Sequence, residues 1–367
     1  PYQGAPAMSF HSESTNSRRE VVDYSNQYRR QARQRRDIVV SNRATGGSTA
    51  QGRALNKMFL DLLTQKFTDP YRLAMAIHEN VDNMDYVNLA TVLFHTGKKR
   101  LLLLPPFIAR IAKRFAEIKE DFRAREASNS LYGMRCMRSD CPEVHNLVSI
   151  LADKLATCTG ELVAQAVGNT LYGLQSMTSE HEEVLKLLKV LAIKVGESTE
   201  ELEAQNVGNA LYGLRGMNSD HEEVRVLLRA LASKIEASNK RLNGQAIGNS
   251  LYGMQGVCSK DPEVRELLKQ LAIKINQSET DIKAQEIGNA LYGLKRMSSE
   301  IPEVRMLLDA FVPKISASRD SLDAQAIGNS LYGLQNMSTR HIEVRNLLGV
   351  MAHKINESVA ELDGQAM

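Results

Sequence analysis

The chain has 367 residues, 43% hydrophobic and 24% charged, so it is long enough to bury a large core. No apolar run approaches the roughly 20 residues that a membrane span needs, and we therefore predict no such span. Its four cysteines are irregularly spaced, which fits neither a zinc site nor a disulfide framework and favours a reducing compartment.

Residues 1–53 are polar and rich in arginine. Residues 1–120 carry 19 Lys+Arg and 11 Asp+Glu, whereas residues 121–367 carry 27 and 32. Because residues 1–53 have few aliphatic side chains to bury, we expect an extended arm that an anionic partner such as RNA holds in place. A leftover targeting segment is the alternative, although such segments are poor in acidic residues. The RNA-binding candidates in the arm are Arg29, Arg30, Arg33, Arg35 and Arg36.

Residues 54–120 show the helical spacing of apolar side chains that is typical of divergent N-terminal helical repeats, as at Leu55, Phe59 and Leu62. The segment 87–94 aligns with the core of the regular repeats that follow, and Phe94 stands where those repeats have tyrosine.

Residues 121–367 contain six copies of the pattern Asn-x-Leu-Tyr-Gly, spaced 40 residues apart with no insertion. Each copy combines two amphipathic helices, so we predict an all-α fold, an α-solenoid of helix-hairpin repeats. The chain ends at Met367, at the start of a seventh copy. We therefore expect the natural protein to continue, or a partner to cover that end.

Local signals predict where the helices begin. Ser219, with Glu222 three residues later, predicts a capping box at the first helix of its repeat, and Ser238 is the predicted cap of the second helix. A hydroxyl recurs at the first of these positions: Ser139, Ser179, Ser219, Ser259, Ser299 and Thr339. Proline falls in the predicted first turn in three copies, at Pro142, Pro262 and Pro302.

The second helix of each repeat carries a polar stripe, represented by Gln205, Asn209 and Tyr212 at helical spacing. One interpretation is a structural ladder, in which a buried, backbone-bonded Asn209 and the tyrosine join neighbouring repeats. The other is a row of RNA bases bound by amides and stacked on tyrosine. The columns are Asn129, Asn169, Asn209, Asn249, Asn289 and Asn329, and Tyr132, Tyr172, Tyr212, Tyr252, Tyr292 and Tyr332. Recurrent Gly208 and Gly213 suggest a close approach between helices.

Two further columns are candidates for RNA contacts. A lysine near the end of the first helix is either a favourable charge at a helix C-terminus or part of a phosphate ladder. It recurs as Lys154, Lys194, Lys234, Lys274, Lys314 and Lys354. A variable column follows the second helix and suits either a recognition code or an ordinary solvated position. It consists of Arg135, Gln175, Arg215, Gln255, Lys295 and Gln335.

Catalysis finds no support in the sequence. His181, His221 and His341 recur at one position, but no nucleophile or metal-ligand spacing accompanies them. We therefore predict a protein that is not an enzyme, with no catalytic residue, no metal and no cofactor.

The stretch Gln205–Leu214 resembles the core of octotricopeptide repeats, and the stretch Asp85–Thr91 is similar to the entry segment of algal and protist organellar proteins that carry them. Such proteins often end in a RAP domain. The resemblance implies an α-solenoid that binds RNA in a mitochondrion or a plastid. This chain departs from the pattern: tyrosine replaces tryptophan, glycine replaces alanine twice, the period is 40 residues, and no RAP-like segment is present.

Two functions follow from these observations. The first is an organellar RNA-binding protein, for example an auxiliary subunit of a ribonucleoprotein assembly, with single-stranded or structured RNA as its partner. The alternative is a protein–protein scaffold subunit of a larger complex. The arginine-rich arm and the resemblance favour RNA, whereas the acidic repeats favour the scaffold.

Overall fold

Sixteen α-helices follow one another along residues 49–358, the residues that this computed structural model describes, and no β-strand occurs among them. The first four are α1 (Ala50–Thr64), α2 (Pro70–Asn80), α3 (Tyr86–Lys99) and α4 (Pro105–Glu117). The regular repeats supply the others in pairs: α5 (Ala124–Gly133) and α6 (Pro142–Ala156), α7 (Ala164–Tyr172) and α8 (Glu182–Glu197), α9 (Ala204–Gly213) and α10 (Glu222–Ala237), α11 (Gly244–Tyr252) and α12 (Pro262–Gln277), α13 (Ala284–Tyr292) and α14 (Pro302–Ala317), α15 (Ala324–Gly333) and α16 (Ile342–Asn356). None of these helices is long and apolar enough to cross a bilayer.

The helices form two layers, because each one packs against the helix two places further along the chain. Helix α3 contacts α5, α8 contacts α10, and α13 contacts α15. Each regular repeat thus adds one short odd-numbered helix to one layer and one long even-numbered helix to the other. This arrangement confirms the all-α solenoid predicted from the 40-residue period.

The core is an aliphatic stripe that runs between the two layers. On α10 the stripe consists of Val224, Leu227, Leu228, Leu231, Ala232 and Ile235, and all six are buried. The equivalent residues of the other repeats extend this stripe into one hydrophobic cluster from Phe59 to Met351. Each repeat buries its apolar face only against its neighbours, so the fold depends on the contacts between repeats.

Glycine allows the odd-numbered helices to approach closely. A Cβ on Gly213 would overlap with the carbonyl oxygen of Leu171 in the preceding odd-numbered helix. The same overlap recurs at Gly173, Gly253, Gly293 and Gly333. Gly208 faces the following helix instead, where a Cβ would lie 3.0 Å from the Cα of Ala246. Both recurrent glycines are therefore contact points between helices, as the sequence suggested.

Several helix starts differ from the sequence prediction. Helix α1 begins at Ala50, so residues 50–53 are helical although the sequence places them in the arm, and the Thr49 hydroxyl caps them by accepting the backbone N–H of Gly52 at 3.0 Å. Proline does occupy the first turn of α6, α12 and α14 as predicted. The predicted start of a seventh repeat falls in residues 359–367, which lie outside the described residues.

Both predicted serine caps are wrong. Helix α10 begins at Glu222 with His221 at the N-cap position and no side-chain cap, so Ser219 lies too far upstream. Ser238 directly follows α10, whereas α11 begins at Gly244 after Asn243, whose side chain accepts the N–H of Ala246 at 2.8 Å. These serines form hydrogen bonds between repeats instead of capping their own helices.

The glycine contacts give a first prediction. Gly213→Ala should lower the free energy of unfolding by about 1–3 kcal/mol, because the new methyl group meets a helix carbonyl that cannot move aside cheaply. Gly349→Ala is the matched control, since it lies inside α16 with no atom within 4 Å of its added Cβ. That variant should be stabilised by up to about 1 kcal/mol through helix propensity. Urea unfolding followed by circular dichroism measures both, and equal shifts would contradict the packing argument.

Candidate nucleic-acid interface

One surface of the odd-numbered layer is polar in every regular repeat. It consists of the exposed side chains of each odd-numbered helix and the turn after it, and we call it the polar face. The segments are residues 124–138, 164–178, 204–218, 244–258, 284–298 and 324–338. In the third repeat Gln205 is exposed, Asn209 is 7% exposed, and Tyr212 and Arg215 are half-buried.

The tyrosines of the polar face stack on one another along the solenoid. Consecutive rings from Tyr132 to Tyr332 have centroids 5.6–6.1 Å apart and planes 20–25° apart. Phe94 extends the stack, with its centroid 5.1 Å from that of Tyr132. A base inserted between two rings would need roughly 7 Å, twice the ~3.4 Å rise between stacked bases. The tyrosines therefore fill the joints between repeats, and no base fits between two of these rings. Stacking of RNA bases on tyrosine stays a prediction.

Cations of the variable column lie over this stack. The Arg215 guanidinium is 4.8 Å from the centroid of the Tyr212 ring. Its Nη1 donates to the Tyr212 hydroxyl, and its Nε donates to the carbonyl oxygen of Gln175 at 2.9 Å. Arg135 and Lys295 lie 4.9 and 4.5 Å from the ring centroids of Tyr132 and Tyr292. Each cation is thus held in one orientation by its own repeat and the one before.

The amide columns do not carry the hydrogen bonds that we predicted for them. Asn209 is buried as expected, but its side chain makes no hydrogen bond within residues 49–358, so the predicted bond to neighbouring backbone is wrong. The nearby backbone groups already bond within their own helices. The side chains of Asn129, Asn169, Asn289 and Asn329 likewise have no hydrogen bond among these residues, and all four are half-buried. These amides keep both donors and acceptors for a ligand.

Buried serines supply the hydrogen-bonded ladder instead. The Ser219 hydroxyl accepts the backbone N–H of Cys258, in the turn of the next repeat, at 2.9 Å. The same bond recurs from Thr178 N to Ser139, Asn218 N to Ser179, Ser298 N to Ser259 and Ser338 N to Ser299, at 2.8–3.0 Å. The column predicted to cap helices therefore connects successive repeats.

The lysine column is also used within the fold. The Lys354 ammonium donates to the Ser318 carbonyl oxygen at 2.8 Å, at the end of the preceding even-numbered helix. Lys154, Lys234, Lys274 and Lys314 donate to equivalent carbonyls, and Lys194 lies 3.6 Å from the Glu197 carboxylate. The side chains of Lys194 and Lys354 are only 15% and 13% exposed. The column thus stabilises the C-terminal ends of neighbouring helices and is not an open phosphate ladder.

Charge is distributed unequally between the polar face and the rest of the repeats. The six segments of the polar face contain six Lys+Arg and two Asp+Glu, whereas the remainder of residues 121–358 contains 21 and 28. The two acids are Glu126 and Glu286, and burial raises the pKa of both carboxyls. The surplus of positive charge therefore lies on the polar face, although the repeats as a whole are acidic.

The recurrent histidines and the arginines of the arm add nothing to the polar face in the described part of the chain. His221 and His341 stand at helix N-caps, near the carboxylates of Glu180 and Glu300. Within the described part of the chain, no cluster of His, Cys, Asp and Glu could hold a metal ion. The arm candidates Arg29, Arg30, Arg33, Arg35 and Arg36 lie outside the described residues, so their RNA contacts stay predictions.

Comparison with known proteins does not place the chain in a family: no family model matches it, and no curated protein matches it either. The octotricopeptide resemblance therefore stays an expectation from the sequence. The polar face must be interpreted from its own geometry.

The serine and asparagine columns give a second prediction. Ser219→Ala should lower the free energy of unfolding by about 1–3 kcal/mol, because it leaves the part-buried N–H of Cys258 without its acceptor. Asn209→Ala should change it by less than about 1 kcal/mol, since no hydrogen-bond partner is lost. Urea unfolding of the two variants in parallel tests the assignment, and a larger loss for Asn209→Ala would reverse it.

Proposed function

We propose that this chain is an RNA-binding helical-repeat protein and that its polar face binds single-stranded RNA along the solenoid. The observation that carries the proposal is the separation of charge: the polar face has six cations and two acids in an otherwise acidic array. Phosphate attraction supplies much of the affinity of any nucleic-acid-binding surface, so the basic surface is the one that suits RNA.

The arrangement of side chains on the polar face supports the same proposal. Within one repeat, Asn209 precedes Tyr212 by three residues and Arg215 follows it by three, so an amide and a variable polar group flank each ring. Helical-repeat proteins that recognise RNA bind one base per repeat with two or three side chains. Each repeat here offers such a set.

The tyrosine stack fixes the distance between equivalent side chains of successive repeats on the polar face. Because the rings contact each other, the separation between equivalent side chains does not depend on a ligand. Bases would be bound at their edges by the amide and variable columns. This mode differs from single-strand binding by stacking on exposed aromatic side chains.

The proposed setting is an organelle, either a mitochondrion or a plastid, where the protein would belong to a ribonucleoprotein assembly. The resemblance to octotricopeptide repeats supports this setting. The composition of residues 1–53 supports it too, since an arginine-rich arm without apolar partners suits contact with RNA phosphates.

A protein scaffold is the second candidate, and the even-numbered layer favours it. Large apolar side chains are exposed there at Ile193, Val226, Met306 and Ile342. They lie in the part of the repeats where acids outnumber cations, 28 to 21. Such a surface would suit a basic protein partner, and it lies apart from the polar face.

RNA binding by the polar face is our third prediction. The triple variant Arg135→Gln, Arg215→Gln, Lys295→Gln in the full chain should weaken single-stranded RNA binding at least about tenfold, since one hydrogen bond to a charged group contributes about 1.5–3 kcal/mol. Folding should be preserved, because glutamine already occupies the same column at Gln175, Gln255 and Gln335. Fluorescence anisotropy with a labelled RNA measures the affinity.

A charge-matched control removes three exposed cations outside the polar face, at Lys189, Lys240 and Lys269. It should bind RNA almost as tightly as the unmodified chain. If both triple variants lose the same RNA affinity, binding reflects net charge alone. The polar face would then not be the RNA-binding surface. If the unmodified chain binds no RNA at physiological salt, the scaffold becomes the better proposal.

A further inference from the structure

The cations of the polar face fall in alternate repeats. Segments 124–138, 204–218 and 284–298 contain all six Lys+Arg, whereas segments 164–178, 244–258 and 324–338 contain no charged residue. The variable column follows the same alternation over six repeats: Arg135, Gln175, Arg215, Gln255, Lys295 and Gln335. Because the asparagine and tyrosine beside this column never change, the alternation distinguishes neighbouring repeats chemically without altering their packing.

Both kinds of side chain are held in place, yet both keep donors or acceptors for a ligand. Arg215 uses two of its five N–H groups, on the Tyr212 hydroxyl and the Gln175 carbonyl. Gln255 donates to the Tyr252 carbonyl oxygen at 3.2 Å, and its Oε1 accepts from Lys295 at 3.3 Å. One N–H and one lone pair of this amide remain. Both side chains are half-buried, so a ligand can reach their outer edges.

These groups match different bases. Arginine and lysine bind the O6 and N7 atoms of guanine, whereas glutamine pairs with N6 and N7 of adenine. A single strand leaves these base edges open to a protein. The alternation of cation and amide therefore corresponds to an alternation of guanine and adenine, which is the same sequence pattern in either strand direction.

We propose that the polar face selects single-stranded RNA of alternating guanine and adenine, one nucleotide per repeat, with guanine at Arg135, Arg215 and Lys295 and adenine at Gln175, Gln255 and Gln335. This inference rests on the proposed RNA-binding function and specifies its ligand. The ring spacing of 5.6–6.1 Å exceeds the ~3.4 Å rise of stacked bases, so the strand is bound extended, with its bases unstacked.

The test uses the full chain and twelve-nucleotide RNAs. Selection from a random pool should enrich alternating purines, GAGAGA over the six repeats. In direct titrations by fluorescence anisotropy at one fixed salt concentration, (GA)6 should bind at least about tenfold more tightly than (CU)6, because each correct base contact discriminates against the wrong base.

Two single variants make the assignment specific to a position. Written from the first repeat to the sixth, Arg215→Gln should change the selected sequence to GAAAGA, and Gln255→Arg should change it to GAGGGA. Each variant introduces a side chain that the neighbouring repeats already carry, so circular dichroism should show an unchanged fold. A residue with only a structural role would alter affinity without changing the preferred base at one position.

The outcomes separate this inference from the function on which it rests. Equal affinity for (GA)6 and (CU)6 would overturn the base assignment while leaving RNA binding intact. In that case Arg215 would contact a phosphate instead. Arg215→Gln should then make the slope of log affinity against log salt concentration shallower by about 0.7, the value for one phosphate contact on a single strand. An enriched sequence that neither variant changes also overturns the assignment. If no RNA binds at physiological salt, the proposed function fails as well.

Discussion

The direct contact between the backbones of consecutive odd-numbered helices is the constraint on which the rest of the structure depends. It exists because Gly213 and its equivalents have no Cβ to separate their helix from the preceding carbonyl oxygen. With the helices this close, the tyrosine rings come into contact, and Arg135, Arg215 and Lys295 each lie over the ring three residues earlier.

Three separate sets of bonds connect neighbouring repeats, and none of them uses the asparagine column. Glycine and tyrosine join the odd-numbered helices, the serines join the turns, and the lysines join the far ends of the even-numbered helices. These bonds hold the repeats together without a hydrogen bond from the side chain of Asn129, Asn169, Asn209, Asn289 or Asn329. These five side chains make no hydrogen bond within the described fold, so the proposed RNA-binding function would not compete with packing for them.

The sequence was sufficient to predict the period, the helix pairs and the buried stripe, because these follow from local spacing and hydrophobic pattern. It was not sufficient to assign roles to the constant columns. The rules for caps and helix ends describe partners three or four residues away, whereas Ser219 bonds a residue 39 positions later and Lys354 one 36 positions earlier. In a solenoid the nearest neighbours in space are one period apart. A local rule therefore identifies the position that matters but assigns it the wrong partner.

The net charge of the repeats and the charge of one face point to different partners. Net charge counted over whole repeats favours the scaffold, but a ligand responds to the charges within about one Debye length, about 8 Å at physiological salt. An α-helix with its side chains is about 10–12 Å across, so acids on the far side of the even-numbered layer are largely screened from the polar face. Within the six segments of the polar face cations exceed acids by six to two, and Asp140, just outside them, lies 3.0 Å from Arg138. For a two-layer solenoid, charge must be assigned to a face before it is used to choose between partners.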